Sequence, residues 1–284
     1  MSAKILDGEK AATQIYIEIN AAIKLRKEQG LHIPGLATIL IGDNPASQIY
    51  VAKKTDVCQK LGMISKSFAL PKTTTETELI HLITELNNDK EINGILVQLP
   101  LPKHISTNHI IECIAPKKDV DGFHPYNVGR LALGNPTFRS CTPKGIITLL
   151  SYYNISNLIG MDTVIIGVSN IVGKPMALEL LRIGCTVSIC NINTKDISRY
   201  VKNADLVISA AGVPKLIKGE WIKENAIVID VGMNRLPNGQ ITGDVEFAEA
   251  KKKASWITPV PGGVGPMTVA SLMENTLLAA ETSK

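Results

Sequence analysis

A chain of 284 residues, 45% apolar and 20% charged, is long enough for two domains with packed cores and needs no disulfide or metal staple. Its formal charge of +4 comes from 30 basic and 26 acidic residues, scattered with no basic stripe between aromatics, which argues against a nucleic-acid partner. No apolar run approaches the roughly 18 residues that cross a bilayer, and Cys58, Cys113, Cys141, Cys185 and Cys190 form no C-x-x-C pair, so a soluble, cytoplasmic protein with reduced thiols is expected.

Aromatic residues make up only 4%, so the core rests on Ile, Leu, Val and Ala, as in parallel sheets buried on both faces. Gly8 to Glu28 predicts a helix, with Ala11, Ile15, Ile19 and Ile23 at fourfold spacing. Leu36 to Ile41 predicts a strand ending in the turn Gly42-Asp43-Asn44-Pro45, and helical spacing resumes through Leu61. A second strand is expected over Ser65 to Leu70, a helix over Glu78 to Leu86 and a third strand over Ile92 to Leu99. This β-α-β-α-β order predicts parallel pairing with helical crossovers. A Gly- and Pro-rich zone from Pro116 to Pro143 contains the expected domain junction. Beyond it, strands are expected at Thr163 to Ile166, Thr186 to Cys190, Asp205 to Ser209 and Ala226 to Val231. A last helix, Pro266 to Ala280, carries Val269, Leu272, Met273, Thr276 and Leu277 on one stripe. The fold class is therefore α/β in two domains with a cleft between them. Residues 1–139 form an α/β substrate domain, on which the helix 266–284 packs back, and residues 140–265 form a Rossmann-like domain.

The strand at Val164 runs into Gly167-Val168-Ser169-Asn170-Ile171-Val172-Gly173-Lys174-Pro175, and a helix follows. A glycine at the strand end permits a tight turn, and Gly173 lets the helix start lie near the strand, where free N–H groups favour an anion. The spacing is G-x-S-x-x-x-G, not G-x-G-x-x-G, so a plain strand-to-helix turn stays open beside a dinucleotide loop. The next strand ends at Cys190-Asn191-Ile192-Asn193, with no carboxylate for a ribose 2′-hydroxyl. That favours NADP, with NAD as the alternative. No Arg stands there, and the nearest cation is Lys195.

In the first half, Ser47, Tyr50 and Lys54 fall at i, i+3 and i+7, on one helix face. Lys54 reads either as a reactive amine on a buried rim or as a snorkelling side chain. Gln98 is the single polar side chain near the end of an apolar strand, where open α/β sheets bind ligands, and an edge hydrogen bond is the other reading. Asp119-Val120-Asp121-Gly122 reads as a turn before it reads as a metal site. The five histidines show no metal-ligand spacing, so no metal is expected.

Taken in order, the segments Asp43 to Val51 with Lys54, Gly94 to Pro102, Lys118 to Gly122, Ser140 to Pro143, Gly167 to Pro175, Val228 to Arg235 and Thr258 to Thr268 resemble the bifunctional methylenetetrahydrofolate dehydrogenase/cyclohydrolase family known as FolD. The resemblance spans nearly the whole chain, and its last segment is the most specific. It implies oxidation of 5,10-methylenetetrahydrofolate, hydrolysis of the methenyl product to the 10-formyl form, tetrahydrofolate derivatives as ligands and a homodimer. It makes Lys54 the catalytic lysine, Gln98 its partner, Tyr50 the ring that stacks on the folate and Asp121 the pterin anchor. Ser47, Leu99, Pro261, Gly262 and Gly263 become folate contacts. Thr142, Gly167, Val168, Ser169, Val172, Gly173, Asn191 and Met233 become dinucleotide contacts. Many relatives have Arg where Val168 stands and His-Ser where Asn191-Ile192 stand, departures that touch cofactor choice and leave the folate chemistry alone. Two rivals remain: another two-domain dehydrogenase of the shikimate or amino-acid type, and a non-catalytic dinucleotide- or folate-binding protein.

Overall fold

The computed structural model describes residues 2–282. In chain order its elements are β1 (Lys4–Ile5), α1 (Gly8–Glu28), β2 (Gly35–Ile41), α2 (Pro45–Lys60), β3 (Ile64–Leu70), α3 (Glu76–Asn88), β4 (Gly94–Val97), α4 (Thr107–Cys113), α5 (Pro125–Ala132) and α6 (Cys141–Tyr152). They continue with β5 (Asp162–Ile166), α7 (Gly173–Ile183), β6 (Thr186–Cys190), α8 (Ile197–Asn203), β7 (Leu206–Ser209), β8 (Ile227–Asp230), β9 (Asn234–Arg235), β10 (Ile241–Thr242), α9 (Phe247–Lys253), β11 (Trp256–Ile257) and α10 (Val264–Thr282). Two units divide the chain: a small-sheet unit of residues 14–141 with 269–282, and a large-sheet unit of residues 2–13 with 142–268.

The small sheet has three parallel strands in the order β3-β2-β4. All seven residues of the central β2 are buried, which is why this segment reads as an apolar run, interrupted only by Thr38, with no alternation. Ala37, Ile39 and Ile41 of β2, with Ile95 and Val97 of β4, pack on Leu79, Ile83 and Leu86 of α3 and Ile110 of α4. A capping box starts α3: Glu78 N donates to Thr75 Oγ1 at 3.2 Å and Thr75 N donates to Glu78 Oε2 at 2.8 Å, a device worth about 1 kcal/mol. From residue 269 onward α10 belongs to this unit, where Asn275 Nδ2 donates to Val120 O at 2.8 Å and Arg139 O at 3.0 Å. Val269, Leu272, Met273 and Thr276 are buried, as their stripe predicts, while Leu277 is only half-buried.

The large sheet is parallel throughout, in the order β6-β5-β7-β8-β11-β1. Counted from β5, its first five strands run 2-1-3-4-5, a doubly wound, Rossmann-like order. Val164, Ile166, Val207, Val228 and Ile257 pack with Val201 of α8, Ala250 of α9 and Ile217. Residues 2–13 fold with this unit because Lys4 and Ile5 pair with Trp256 and Ile257. A two-residue strand carries no periodicity, so nothing in its local sequence announces it.

Both sheets reverse their winding after the first strand. The chain crosses from β2 to β3 on one side and to β4 on the other, and it repeats this from β5 to β6 and then to β7. Each sheet therefore opens a crevice at the carboxyl ends of the strands where the winding reverses, β2 and β4 in one and β5 and β7 in the other, where ligands of such folds bind. The β4 ladder is shorter than the Ile92 to Leu99 run. Asn93 turns its side chain to accept from Gly35 N at 2.9 Å, and beyond Gln98 the Leu99–Pro100 bond is cis. The Gly- and Pro-rich zone hides α5, which opens on Pro125 at its first turn and is capped by His124, whose Nδ1 accepts from Tyr126 N at 3.0 Å.

Candidate active site

In the small-sheet unit the chemistry collects at the β2/β4 crevice. Asn44 caps α2, its Oδ1 accepting from Ser47 N at 3.1 Å, and Pro45 fills the first helical position. The helix thus starts right after β2 and sends Ser47, Lys54 and Cys58 to the buried side, with Tyr50 half-buried beside them. Lys54 is 8% exposed and its Nζ donates to Gln98 Oε1 at 3.0 Å. Gln98 lies one residue past β4, held by its own N–H to Ile39 O at 2.9 Å. Its Nε2 donates to Leu99 O at 2.8 Å, so the amide oxygen is the end that faces the lysine. Burial pushes the Tyr50 phenol above its ordinary value.

The two carboxyl groups of the D-x-D segment divide their work. Asp119 is buried and accepts from Phe123 N at 3.1 Å, His124 N at 2.9 Å and Asn127 Nδ2 at 2.8 Å, which shapes the turn. Lys118 anchors the same turn from the other side, donating to Leu86 O at 2.8 Å and Asp89 O at 2.7 Å at the end of α3. Asp121 is the member that couples to Lys54. Burial raises its carboxyl above the ordinary aspartate value; the Lys54 charge pulls it back down, and Asp119 pushes it up. Lys54, Gln98 and Asp121 are thus one electrostatic group, with the two anchoring residues that sequence reading left without a role.

In the large-sheet unit the corresponding crevice, between β5 and β7, is built from backbone. Gly167 ends β5 at φ 119°, and a Cβ there would strike Ala210 O. A Cβ on Gly173 would strike Gly167 O, so the start of α7 lies against the strand end as a dinucleotide cradle requires. Ser169 Oγ accepts from Val172 N at 3.1 Å and Gly173 N at 3.4 Å. The eleven-residue α7 starts at this turn with its first donors engaged inside the loop: Lys174 N donates to Ser169 O at 3.1 Å, and Pro175 carries no N–H. Val168 is 38% exposed beside it. After β6, Asn191 folds into a turn, accepting from Asn193 N at 2.9 Å, and Ile192 is 99% exposed. Met233 is exposed just before β9. Thr142 Oγ1 shares a hydrogen bond with Thr268 Oγ1 at 3.0 Å. The Val260–Pro261 bond is cis, Gly262 has φ 98° and its carbonyl accepts from Gly8 N at 2.9 Å, while a Cβ on Gly8 would strike Gly263 O. Of the expected residues, Lys54, Gln98 and Asp121 interact in one unit and Gly167, Ser169, Val172 and Gly173 in the other, while the 261–263 loop and the Lys54 group belong to different units.

Residues 6–121 match the tetrahydrofolate dehydrogenase/cyclohydrolase catalytic domain, and residues 140–284 match the tetrahydrofolate dehydrogenase/cyclohydrolase NAD(P)-binding domain. The chain belongs to this family. Among solved structures it is similar to the bifunctional FolD methylenetetrahydrofolate dehydrogenase/cyclohydrolase of Campylobacter jejuni, at 51% identity and a TM-score of 0.97 over 100% of both chains. It is also similar to the Trypanosoma brucei methylenetetrahydrofolate dehydrogenase-cyclohydrolase complexed with NADP cofactor and inhibitor, at 38% identity and 0.95 over 100% of this chain and 99% of that one. The bifunctional enzyme of Thermoplasma acidophilum follows at 34% identity and 0.90, over 98% of each chain. As a FolD-family enzyme the chain has two activities, oxidation of methylenetetrahydrofolate and hydrolysis of methenyltetrahydrofolate. Both expected catalytic and dinucleotide domains are present, which sets aside the non-catalytic and shikimate-type rivals.

Proposed function

We propose that this FolD-family enzyme uses NADP in the first reaction, releases 10-formyltetrahydrofolate from the second, and moves the protons of the second step through Lys54. The observation that carries this reading is the Lys54 amine, 8% exposed and donating to the uncharged Gln98 Oε1 at 3.0 Å.

Oxidation asks little of acids or bases. The bridging carbon carries two nitrogens, and a lone pair on one expels hydride to leave a resonance-stabilised cation. A bound nicotinamide supplies the acceptor of that hydride. The chain's contribution is orientation, which can lower a barrier by about 7–11 kcal/mol when reacting atoms are aligned. Gly167, Ser169 and Gly173 would hold the pyrophosphate, with Thr142, Val168, Val172, Asn191 and Met233 around the rest of the dinucleotide. Tyr50 would stack on the folate ring, and Asp121 would accept two adjacent pterin N–H groups, a bidentate pair that favours the carboxylate. Ser47, Leu99 and the loop Pro261, Gly262 and Gly263 are assigned to further folate contacts.

Hydrolysis needs a group that takes a proton from water and returns one to the departing nitrogen. Lys54 does both in this reading: its neutral amine accepts one water proton as the C–O bond forms, the ammonium delivers a proton to nitrogen as the C–N bond breaks, and the remaining hydroxyl proton is released to solvent as the carbonyl forms. Gln98 accepts a hydrogen bond from the ammonium or the amine and adds no charge of its own, while Asp121, the charged neighbour of Lys54, is assigned to the pterin.

NADP is preferred in this reading because Asn191, Ile192, Asn193 and Thr194 bring no carboxylate to the ribose and Lys195 follows as a cation. Cytoplasmic location is supported by five free cysteines and by the absence, among the described residues, of a helix long and apolar enough to cross a membrane. A homodimer follows from the family resemblance, and sedimentation reads it directly. A spectrophotometric assay with methylenetetrahydrofolate and each dinucleotide tests the whole reading. A higher kcat/KM with NADP is expected; a clear advantage for NAD would refute the cofactor choice.

A further inference from the structure

Two buried carboxyl groups lie at the carboxyl end of the large sheet with no part in the chemistry above. Asp230 ends β8 and is 4% exposed; Asp244 follows β10 and is 0% exposed. Asp244 Oδ2 accepts from Ser209 Oγ at 3.2 Å, Ala211 N at 2.8 Å and Gly212 N at 3.0 Å, and its Oδ1 accepts from Asn234 Nδ2 at 2.8 Å. Asp230 Oδ1 accepts from Gly232 N and Asp244 N, both at 2.9 Å, and its Oδ2 accepts from Val245 N at 2.9 Å. The fit leaves no slack, since a Cβ on Gly232 would strike Asp244 Oδ1 and one on Gly243 would strike Asp230 Oδ2.

Burying two carboxylates is a poor way to gain stability, because their desolvation cancels most of what their hydrogen bonds return. What this pair does instead is fix irregular backbone. The turn at Ala211 and Gly212 has no ladder partners of its own on that side, and Ala210 is the residue on which Gly167 packs: Ala210 N donates to Ile166 O at 2.7 Å and Ala210 O is the atom a Gly167 Cβ would strike. Asn234, tied to the other carboxylate oxygen, is the neighbour of Met233.

We propose that Asp244, backed by Asp230, is the positioning residue of the dinucleotide site, holding the 210–212 turn under Gly167 and the 232–235 segment that presents Met233. The inference rests on the assignment of the dinucleotide to the Gly167–Gly173 loop. Three of the four donors share Oδ2, so Asp244→Asn either sets its NH2 group against the Ala211 and Gly212 N–H groups or keeps its oxygen there, turns the Asn234 amide over and loses the charge that strengthens these bonds. The two activities separate a positioning role from a general structural one, because hydrolysis of supplied methenyltetrahydrofolate needs no dinucleotide.

In purified Asp244→Asn, the KM for dinucleotide should rise about tenfold or more, the loss expected from one or two charge-assisted hydrogen bonds, while hydrolysis without dinucleotide stays within about twofold. Asn234→Ala, at a partly buried site, removes one of these bonds and should raise the same KM about threefold. A folded Asp244→Asn with unchanged dinucleotide KM, or with both activities reduced in proportion, would overturn the proposal. Should Asp244→Asn fail to fold, an unchanged KM in Asn234→Ala would overturn it. Absence of dehydrogenase activity in the unaltered enzyme would instead strike the functional reading beneath it.

Discussion

The small sheet and the large sheet share one winding and solve the same problem with different materials. At the β2/β4 crevice the proposed site is made of side chains: Lys54 from α2, Gln98 just past β4, Asp121 from a turn pinned by Asp119 and Lys118. At the β5/β7 crevice it is made of backbone, brought close by the absence of Cβ atoms at Gly167 and Gly173. Proton transfer needs functional groups with a charge to gain or lose, whereas holding a pyrophosphate needs N–H groups and room. Substitutions should therefore divide the two activities according to which material they damage.

The largest effect belongs to Lys54→Ala. With methenyltetrahydrofolate supplied directly, its hydrolysis rate should fall by about 10²–10⁴, the usual worth of a positioned acid-base group. Full retention of hydrolysis would remove Lys54 from the mechanism. The reciprocal change is Gly173→Ala. Its methyl group must displace the Gly167 carbonyl, so stability should drop by about 1–3 kcal/mol and dehydrogenase activity should fall much further than hydrolysis. Equal losses in both assays would blur the contrast between the crevices.

Asp121 sharpens the comparison through pH. Its carboxyl sits above the ordinary aspartate range because of burial, yet the proposed contact with pterin N–H donors calls for the carboxylate. Folate KM in both reactions should therefore begin to rise, as pH is lowered, at a higher pH than a normal aspartate would dictate. Asp121→Asn should weaken folate binding and flatten that profile. A folate constant that ignores both pH and the substitution would count against the anchor.

The effect furthest from the chemistry is thermodynamic. Burial lifts Asp230 to about 6, against 3.8 for an ordinary aspartate. The folded chain then keeps this proton through a window where the unfolded chain has released it. The Asp230 contribution to unfolding free energy should accordingly decline by about 3 kcal/mol as pH rises from near 4 to near 6. Denaturant titrations of Asp230→Asn across that window should lack this component, and an unchanged pH slope would show that the carboxyl titrates normally.

Much of this was legible in the sequence, for reasons the two crevices also explain. The Ser47, Tyr50, Lys54 face follows from helical spacing alone, whereas the start of α2 at Pro45, capped by Asn44, lies inside the segment that reads as a turn. Gln98 stood out as the one polar group on an apolar strand. Gly167 and Gly173 were visible because a glycine at a strand end and at a helix start each have a backbone reason. Asp230 and Asp244 were not, because they are fourteen residues apart and nothing local distinguishes a buried acid from a surface turn. Their signal was the adjacent Gly232 and Gly243, whose missing Cβ atoms make room for the other's carboxylate. The helix α5 stayed hidden inside a segment whose Pro and Gly content reads as loop.

The separation of the two chemistries is tested most directly by following Lys54→Ala from methylenetetrahydrofolate and NADP in a single progress curve. Methenyltetrahydrofolate should accumulate in step with reduced dinucleotide, mole for mole over the initial phase. Reduced dinucleotide appearing while methenyltetrahydrofolate is cleared as fast as in the unaltered enzyme would contradict the account.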